Sequence, residues 1–283
     1  MSVAVEALSG GRPGALARAF RFARHHVLTV YALLAFAYLL VPIAIVVLFS
    51  FNDPKSRFNY VWEGFTLDNW RHWDAYPGLT DAMKVSLEVA AISSAAATAL
   101  GTLIALALVR YGFRGRGATN LFIFLPMSTP EIVLGASLLA LFLNLHFATG
   151  FLTIAIAHIM FNVSYVVVTV KARLVGFDRH LEEAAMDLGA NEWTTFRRVT
   201  LPLIAPGILA AGLLAFALSV DDFVITYFNA GATTTFPIFV WTAAARGAPP
   251  QVNVMGTMIF VVALSLMAVN ILLQRRREGQ APA

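Results

Sequence analysis

Long apolar runs, separated by short polar segments, dominate the pattern of residues along this chain. A helix needs about 20 apolar residues to cross a bilayer core of about 30 Å, and six windows meet that length. The windows are residues 27–49, 85–109, 118–145, 151–170, 201–228 and 252–273. The pattern therefore predicts an all-α, polytopic membrane protein with six transmembrane helices.

Composition agrees with this reading. Hydrophobic residues make up 59% of the chain and charged residues 13%, and the mean hydropathy is +0.73, which excludes a soluble domain with a solvated surface. The chain has no cysteine, so disulfides and thiolate metal sites are excluded. None of its three lysines follows a glycine, so the phosphate-binding loop GxxxxGK[ST] is absent.

The basic residues predict the orientation of the spans. With the N-terminus inside, fifteen of the twenty arginines and lysines lie in inner segments, and the positive-inside rule favours that arrangement. We therefore expect a cytoplasmic N-terminal segment (1–26), a transmembrane domain (27–273) and a cytoplasmic C-terminal tail (274–283). The first span is expected to be retained and not cleaved as a signal peptide. The net charge of +4 then reflects orientation and does not indicate a nucleic-acid partner.

Two segments outside the spans have a pattern of their own. The stretch GALARAFRFARHHV has apolar residues at helical spacing with arginines on another side, which suits either an interfacial helix or a disordered basic tail. The outer loop 51–80 is rich in aromatic residues. It is either an aromatic belt at the membrane surface or a docking surface for an external protein.

The most highly charged passage lies between the fourth and fifth windows. Its first part predicts a short amphipathic helix, followed by a stop at Gly189 and a second short helix capped by Asn191. Leu201 and Pro202 are expected to end the second helix. By periodicity alone, the passage is either an ordinary interfacial loop or a surface for a partner. The apolar face of the first helix holds Leu181, Ala184, Ala185 and Leu188, and its polar face holds Glu182, Glu183 and Asp187.

A sequence motif favours the second of these interpretations, a surface for a partner. The passage resembles the EAA signature of membrane subunits of ATP-binding-cassette (ABC) importers, which reads EAA, three residues, G, nine residues, I, one residue, LP. The only departure is Val199 in place of isoleucine. The residues that carry the match are Glu183, Ala184, Ala185, Gly189, Val199, Leu201 and Pro202.

The resemblance implies a type I importer permease in a bacterial inner membrane. Residues 175–200, here named the coupling loop, would sit in a cleft of a separate ATPase, with Asp187 on the polar face. The implied partners are two ATP-binding subunits, a second permease, an external substrate-binding protein and membrane lipid. ATP and Mg would be bound by the ATP-binding subunits, and this chain would hold no cofactor or metal and no catalytic residue.

Three stretches in the C-terminal part resemble one particular group of these permeases. The stretches LSVDDFVITYFNAG, TFPIFVW and GAPPQVNVMGT resemble the second permease of spermidine and putrescine importers. The resemblance implies a polyamine substrate. An importer of another small solute, such as an opine, amino acid or sugar, is the main alternative, and an ion-driven secondary transporter is a further one.

Four carboxylates within the spans offer an independent indication of function. A charge at the middle of a spanning helix costs about 2.5 to 3.5 kcal/mol on insertion scales, so such a residue usually faces a cavity or a partner. At ~1.5 Å per residue, all four fall in the outer half of the membrane. We expect them to line the substrate path together with three aromatic residues. The path residues are Glu88, Glu131, Asp221, Asp222, Phe223, Tyr227 and Trp241.

Each carboxylate also has a structural alternative. Glu88 could pair with Lys84 one turn away, and Glu131 could repair a backbone interrupted by prolines. Asp221 or Asp222 could cap a helix break. His158 and Asn162, one turn apart in the fourth window, are expected to form hydrogen bonds between helices and not a metal site.

Overall fold

The structure is a computed structural model that describes residues 15–56 and 58–278, with side chains described for 26–56, 58–265 and 268. This part of the chain is almost entirely helical, and its only β pairing is an isolated bridge between Asn52 and Phe65. The chain divides into two compact units. One comprises the described parts of Met1–Ala75 and Pro249–Ala283, and the other is Tyr76–Ala248.

The first unit contains three helices and a folded loop. The helices are α1 (Ala15–Phe49), α2 (Asp68–Arg71) and α12 (Pro250–Glu278). Within α1, the stretch His26–Phe49 has a mean hydropathy of 2.8 and none of it is buried inside the chain. An apolar surface of this length is typical of a helix that contacts lipid or another membrane protein.

A network of asparagines folds the loop between α1 and α2. Asn52 Nδ2 donates to Asn59 Oδ1 at 2.6 Å, and Asn69 Nδ2 donates to the Asn52 carbonyl at 2.7 Å. The ring of Phe51 stacks between those of Phe65 and Trp70. The aromatic loop predicted from the sequence is therefore an ordered structure, built on buried amide hydrogen bonds.

The second unit is a helical bundle centred on three long helices. Its helices are α3 (Leu79–Arg110), α4 (Arg116–Ser128), α5 (Glu131–Asn144), α6 (Phe151–Val175), α7 (His180–Asp187), α8 (Glu192–Thr195), α9 (Leu201–Asp221), α10 (Val224–Asn229) and α11 (Phe236–Arg246), with a π-helical turn at Phe196–Thr200. Helices α3, α6 and α9 pack around a core that includes Ala97, Val166, Val170, Ile204, Ala211 and Ala215.

Small residues bring these three helices together. A Cβ on Gly101 of α3 would lie 2.6 Å from Val166 Cγ1 of α6, so only glycine fits at this crossing. Close approach of backbones through small residues is a common way in which membrane helices associate.

Two predicted spans are not continuous helices. The window 118–145 is divided into α4 and α5, which meet at an angle of 108°. Pro130 lacks an N–H donor and pushes Thr129 into an extended conformation, with φ −83° and ψ 132°, so the helix stops there. The window 201–228 is divided at Asp222 and Phe223 into α9 and α10.

The second halves of the two divided windows pack on each other. Asn229 Nδ2 of α10 donates to the Gly135 carbonyl of α5 at 3.3 Å, and Thr153 Oγ1 of α6 donates to the Asn229 carbonyl at 2.8 Å. Neither short helix would bury its apolar surface alone. Their pairing explains why both breaks are tolerated.

The predicted six spans are thus found in modified form. Four described helices are long and apolar enough to cross a membrane, and a fifth span results if α4 and α5 count as one. Helix α12, Pro250–Glu278, covers the sixth window. Helix α1 begins at Ala15 and runs without interruption into the first span, while the prediction for residues 1–14 lies outside the described residues.

Candidate functional site

The coupling loop folds as two short helices joined by a glycine turn, as the sequence predicts. Helix α7 ends at Asp187, and Gly189 follows with φ 89°, a conformation that costs a side-chain-bearing residue about 1 to 2 kcal/mol. The Ala190 N–H closes the turn by donating to the Ala185 carbonyl at 3.1 Å. Asn191 Oδ1 accepts from the Thr194 N–H at 2.8 Å and caps α8.

Glu182 attaches the coupling loop to the long helices. Its carboxylate accepts hydrogen bonds from the Arg110 guanidinium at the end of α3 and from the Thr200 hydroxyl directly before α9. Arg179 Nη2 adds a bond to the Val109 carbonyl at 3.1 Å. The predicted polar face of α7 is therefore wrong in one respect. Glu182 turns inward, because its partners lie on α3 and α9, which the sequence pattern of α7 cannot show.

The opposite side of α7 is uncovered in this chain. Leu188 is 90% exposed, and Leu181 and Ala184 are also exposed. Glu183 is exposed and lies 3.1 Å from His180 Nδ1. Together with Trp193, which is 68% exposed, these residues form a mixed apolar and acidic surface.

The second short helix does not end at Leu201 and Pro202, contrary to the sequence prediction. Helix α8 passes through one π-helical turn, Phe196–Thr200, directly into α9. In that turn the Leu201 N–H donates to the Phe196 carbonyl, five residues earlier. Pro202, which has no N–H to donate, is the second residue of α9 and stands directly after this π turn.

The predicted path carboxylates differ in their surroundings. Glu88, Glu131 and Asp221 are exposed. Glu131 is the first residue of α5, so its depth cannot be counted along a straight span from α4. Lys84 Nζ lies 3.8 Å from Asp81 Oδ1, and no ion pair between Lys84 and Glu88 occurs in the part of the chain that the structure describes.

Asp222 is the exception, since only 7% of its side chain is exposed. Its Oδ2 accepts hydrogen bonds from the Thr226 N–H and the Thr226 hydroxyl, both at 2.8 Å, and lies 3.2 Å from His158 Nε2. Asp222 thus caps α10 across the helix break, which is the structural alternative considered for this residue.

His158 links α6 to this break. Its Nδ1 lies 2.6 Å from Ser219 Oγ of α9, and its Nε2 lies 2.9 Å from Thr226 Oγ1. Ser219 Oγ is in turn 3.0 Å from Ser93 Oγ of α3. The prediction of interhelical hydrogen bonding is confirmed for His158. It is not supported for Asn162, whose buried amide has no hydrogen-bond partner among the described residues.

The three predicted aromatic residues lie together. The ring centroids of Phe223 and Tyr227 are 5.4 Å apart, and those of Phe223 and Trp241 are 5.3 Å apart. Tyr227 and Trp241 are both exposed. Asp221, which precedes this aromatic cluster (Phe223, Tyr227 and Trp241) in the chain, is exposed as well, so an acidic group and flat apolar surface occur at one end of α9.

Several functional contacts escaped the sequence reading. Arg110, Thr200, Ser93, Ser219 and Thr226 were not singled out, although polar residues within apolar helices are a usable signal. In the residues that the structure describes, no cluster of three or more His, Cys, Asp or Glu side chains could hold a metal ion.

Similarity to known proteins defines the class of this chain. It belongs to the family of binding-protein-dependent transport system inner membrane components, whose model matches residues 97–279. It is therefore a multi-pass inner-membrane permease.

Relatives within this class are similar over most of the chain. The spermidine/putrescine transport system permease protein PotC of Haemophilus influenzae is 36% identical over 249 residues, covering 88% of this chain and 96% of that protein. PotC of Escherichia coli K12 is 39% identical, covering 85% and 90%. The putrescine transport system permease protein PotI of Escherichia coli K12 is 40% identical, covering 81% and 84%.

Solved structures share the fold. A bacterial ABC transporter involved in the import of the acidic polysaccharide alginate matches with a TM-score of 0.68 at 16% identity, covering 92% of this chain and 99% of that one. An amino acid ABC transporter matches with a TM-score of 0.56 at 18% identity, covering 75% and 100%.

Proposed function

We propose that this chain is a permease subunit of an ABC importer for polyamines. The observation that carries the proposal is the 36 to 40% identity, over more than four fifths of the chain, to permeases named for spermidine and putrescine or for putrescine. No step of catalysis is assigned to this chain. Its role is to form part of the path and to transmit movement from the ATPase.

The chemistry of the α9–α10 break supports a cationic substrate. A polyamine carries ammonium groups separated by apolar methylene segments, so it needs separated acidic groups with apolar surface between them. Asp221 is exposed at the end of α9, and the aromatic cluster offers ring faces for cation–π contacts of about 0.5 to 2 kcal/mol each. Glu88 and Glu131 would add further acidic groups to a distributed, weakly binding path.

The coupling loop supports an ATPase partner. Leu181, Ala184 and Leu188 are apolar and uncovered, and Glu183 stands beside them with 63% of its side chain exposed. We assign Glu183, Ala184, Ala185, Asp187 and Gly189 to the surface that contacts the ATP-binding subunit, which would hold ATP and Mg. In this proposal Leu201 and Pro202 connect that surface to α9.

The remaining partners follow from the same assignment. Helices α3 and α9 leave an apolar groove of about 650 Å³ lined by residues such as Ala99, Leu209 and Phe216, which suits a helix of a second permease or lipid. In the full assembly, this chain and a second permease would stand on two ATP-binding subunits and receive substrate from an external binding protein. Both termini would lie in the cytoplasm.

Uptake by the purified complex in vesicles tests the function. The complex would be reconstituted with its binding protein, supplied with ATP on the side of the ATP-binding subunits, and offered labelled spermidine, putrescine, an amino acid and a sugar. We expect ATP-dependent accumulation of the amines only. Uptake of the amino acid or the sugar in place of the amines would overturn the substrate assignment, and uptake driven by an ion gradient without ATP would overturn the class of transporter.

A further inference from the structure

Two adjacent aspartates at the end of α9 stand in opposite environments. Asp221 is exposed and forms no ion pair in the described part of the chain. Asp222 is almost fully buried and faces donors on two other elements, α6 and α10. The same residue type at consecutive positions therefore performs two different tasks.

The acceptor capacity of Asp222 is already used within the chain. Oδ2 receives the Thr226 N–H, the Thr226 hydroxyl and His158 Nε2, while Oδ1 faces the Ile225 N–H at 3.4 Å. A carboxylate offers about four lone-pair positions, so little remains for a substrate ammonium. The burial of the Asp222 side chain also argues against its contact with a substrate.

The hydrogen bonds around His158 are compatible with a neutral imidazole. One neutral imidazole, with its proton on Nε2, can donate to Asp222 and Thr226 while Nδ1 accepts from the Ser219 hydroxyl. Ser219 Oγ can then accept from the Ser93 hydroxyl. One tautomer thus satisfies a chain of bonds that joins α3, α9, α6 and α10.

The bonded residues are also the neighbours of the aromatic rings. Phe223 follows Asp222 in the chain, and Tyr227 follows Thr226. When Asp222 and Thr226 are held 2.8 Å apart, the two rings are held in contact, and Trp241 packs on Phe223 from α11. The conformation of the α9–α10 break therefore determines how the rings of Phe223 and Tyr227 lie relative to each other.

We infer that His158 is a positioning residue, which acts through Ser219 and Asp222 to fix the α9–α10 break and the aromatic cluster, and that only Asp221 of the two aspartates meets substrate. Only the statement that Asp221 meets substrate rests on the proposed function. The positioning role concerns the chain itself and can be measured without transport.

A cross-link within the chain measures that role. Because the chain has no cysteine, Phe223→Cys and Trp241→Cys introduce a single pair within it, at positions whose rings are in contact. The pair is joined by a short bifunctional thiol reagent in the assembled complex, and mass spectrometry quantifies the linked peptides. We expect His158→Leu and Asp222→Asn to lower the yield at least threefold. His158→Gln, which keeps a donor and an acceptor, should restore most of it, and Asp221→Asn should leave it unchanged.

Uptake kinetics then separate the two aspartates. His158→Leu and Asp222→Asn should be non-additive, the double variant losing little more uptake than either single variant, because both disrupt the same hydrogen-bonded network at the α9–α10 break. The fold losses of uptake caused by His158→Leu and by Asp221→Asn should multiply in the double variant. If His158→Leu does not assemble, Ser219→Ala removes the Nδ1 contact and the Ser93 contact but leaves both contacts of Nε2, so it should lower the cross-link yield by a smaller factor.

The outcomes distinguish this inference from the proposed function. An unchanged cross-link yield in assembled His158→Leu and Ser219→Ala, or an equal loss in Asp221→Asn and Asp222→Asn, would overturn the positioning role. Absence of amine uptake by the unmodified complex, with the expected cross-link pattern intact, would overturn the polyamine assignment while the positioning role stands.

Discussion

Glu182 and Arg110 are 72 residues apart in the chain, yet their side chains form an ion pair that binds the coupling loop to the end of α3. Thr200 completes the contact at the start of α9. The neighbouring Glu183 points away from the chain. Glu182 therefore holds the loop in place, whereas Glu183 is exposed at the surface beside His180.

Removal of the Glu182 carboxylate should loosen the coupling loop. The side chain is only 13% exposed, and loss of a partly buried acceptor leaves the Arg110 guanidinium without its partner, at a cost of about 1 to 3 kcal/mol. We expect Glu182→Ala to raise amide hydrogen exchange across residues 180–195 by roughly tenfold or more. Glu183→Ala is the matched control and should leave exchange in the isolated permease unchanged. Equal protection in both variants would contradict the attachment.

Substitutions at Gly189 should separate backbone strain from partner contact. No atom lies within 4 Å of a Cβ built on Gly189, so a small side chain meets no obstacle in this chain. Only the positive φ opposes it, at about 1 to 2 kcal/mol, and asparagine tolerates that conformation best. We expect Gly189→Asn to retain the ATP-binding subunits on affinity purification. Gly189→Glu should lose them, as should Glu183→Lys. Full retention and normal uptake in both of the latter variants would disprove the coupling surface.

Neutralising the exposed carboxylates should weaken substrate uptake without disturbing assembly. A solvent-accessible charge contact is worth at most about 1 kcal/mol, so Asp221→Asn and Glu131→Gln should each raise the KM for polyamine roughly fivefold. Because Lys84 lies beside Asp81 and not beside Glu88, Glu88→Gln should have an effect of similar size. Uptake kinetics at matched levels of the complex test the variants at Asp221, Glu131 and Glu88. Unchanged kinetics would remove these residues from the path.

The charge asymmetry predicts the orientation of the chain. Reporters fused after Arg116 and after Arg198 should read cytoplasmic, whereas those near Trp70 and Gly247 should read external. The measurement is the activity of a paired set of reporters that each work on only one side. An external reading after Arg198 would remove the coupling loop from the reach of a cytoplasmic ATPase.

The crossing of α3 and α6 should reject any side chain at Gly101. In Gly101→Ala the new methyl would overlap Val166 Cγ1, and overpacking of this kind costs about 1 to 3 kcal/mol. We expect a lower Tm of the purified permease. Gly117→Ala, in an open part of α4, is the control and should not lower it. Adding Val166→Ala to Gly101→Ala should restore part of the loss, and a lack of any rescue would show that the contact is not the cause.

Much of the architecture could be predicted because it depends on local pattern. The spans α3 and α6 follow directly from long apolar runs, and the turn at Gly189 follows from residue preferences within a few positions. The 108° bend between α4 and α5 was not foreseen as a change of direction, although Pro130 marked the place. Hydropathy measures how apolar a window is and contains no information on its direction.

The candidate site likewise has features that the local sequence predicts and contacts that it does not predict. The aromatic residues could be assigned to the path from the sequence, but the proximity of Trp241 to Phe223 depends on α11, a helix of only 11 residues that is too short to stand out as an apolar window. The burial of Asp222 depends on His158, 64 residues earlier in the chain. Contacts of this kind come from the packing of three helices and are invisible to periodicity within one.

The continuity of α8, the π turn and α9 has a mechanical consequence. These elements form a single rod of 30 residues, from Glu192 to Asp221, with a length of roughly 45 Å. If such a rod pivots by about 10° near Glu192, its far end moves by roughly 8 Å. The π turn thus makes the second short helix of the coupling loop continuous with the fifth span, so a small rotation near Glu192 becomes a displacement of several ångströms where Asp221 stands.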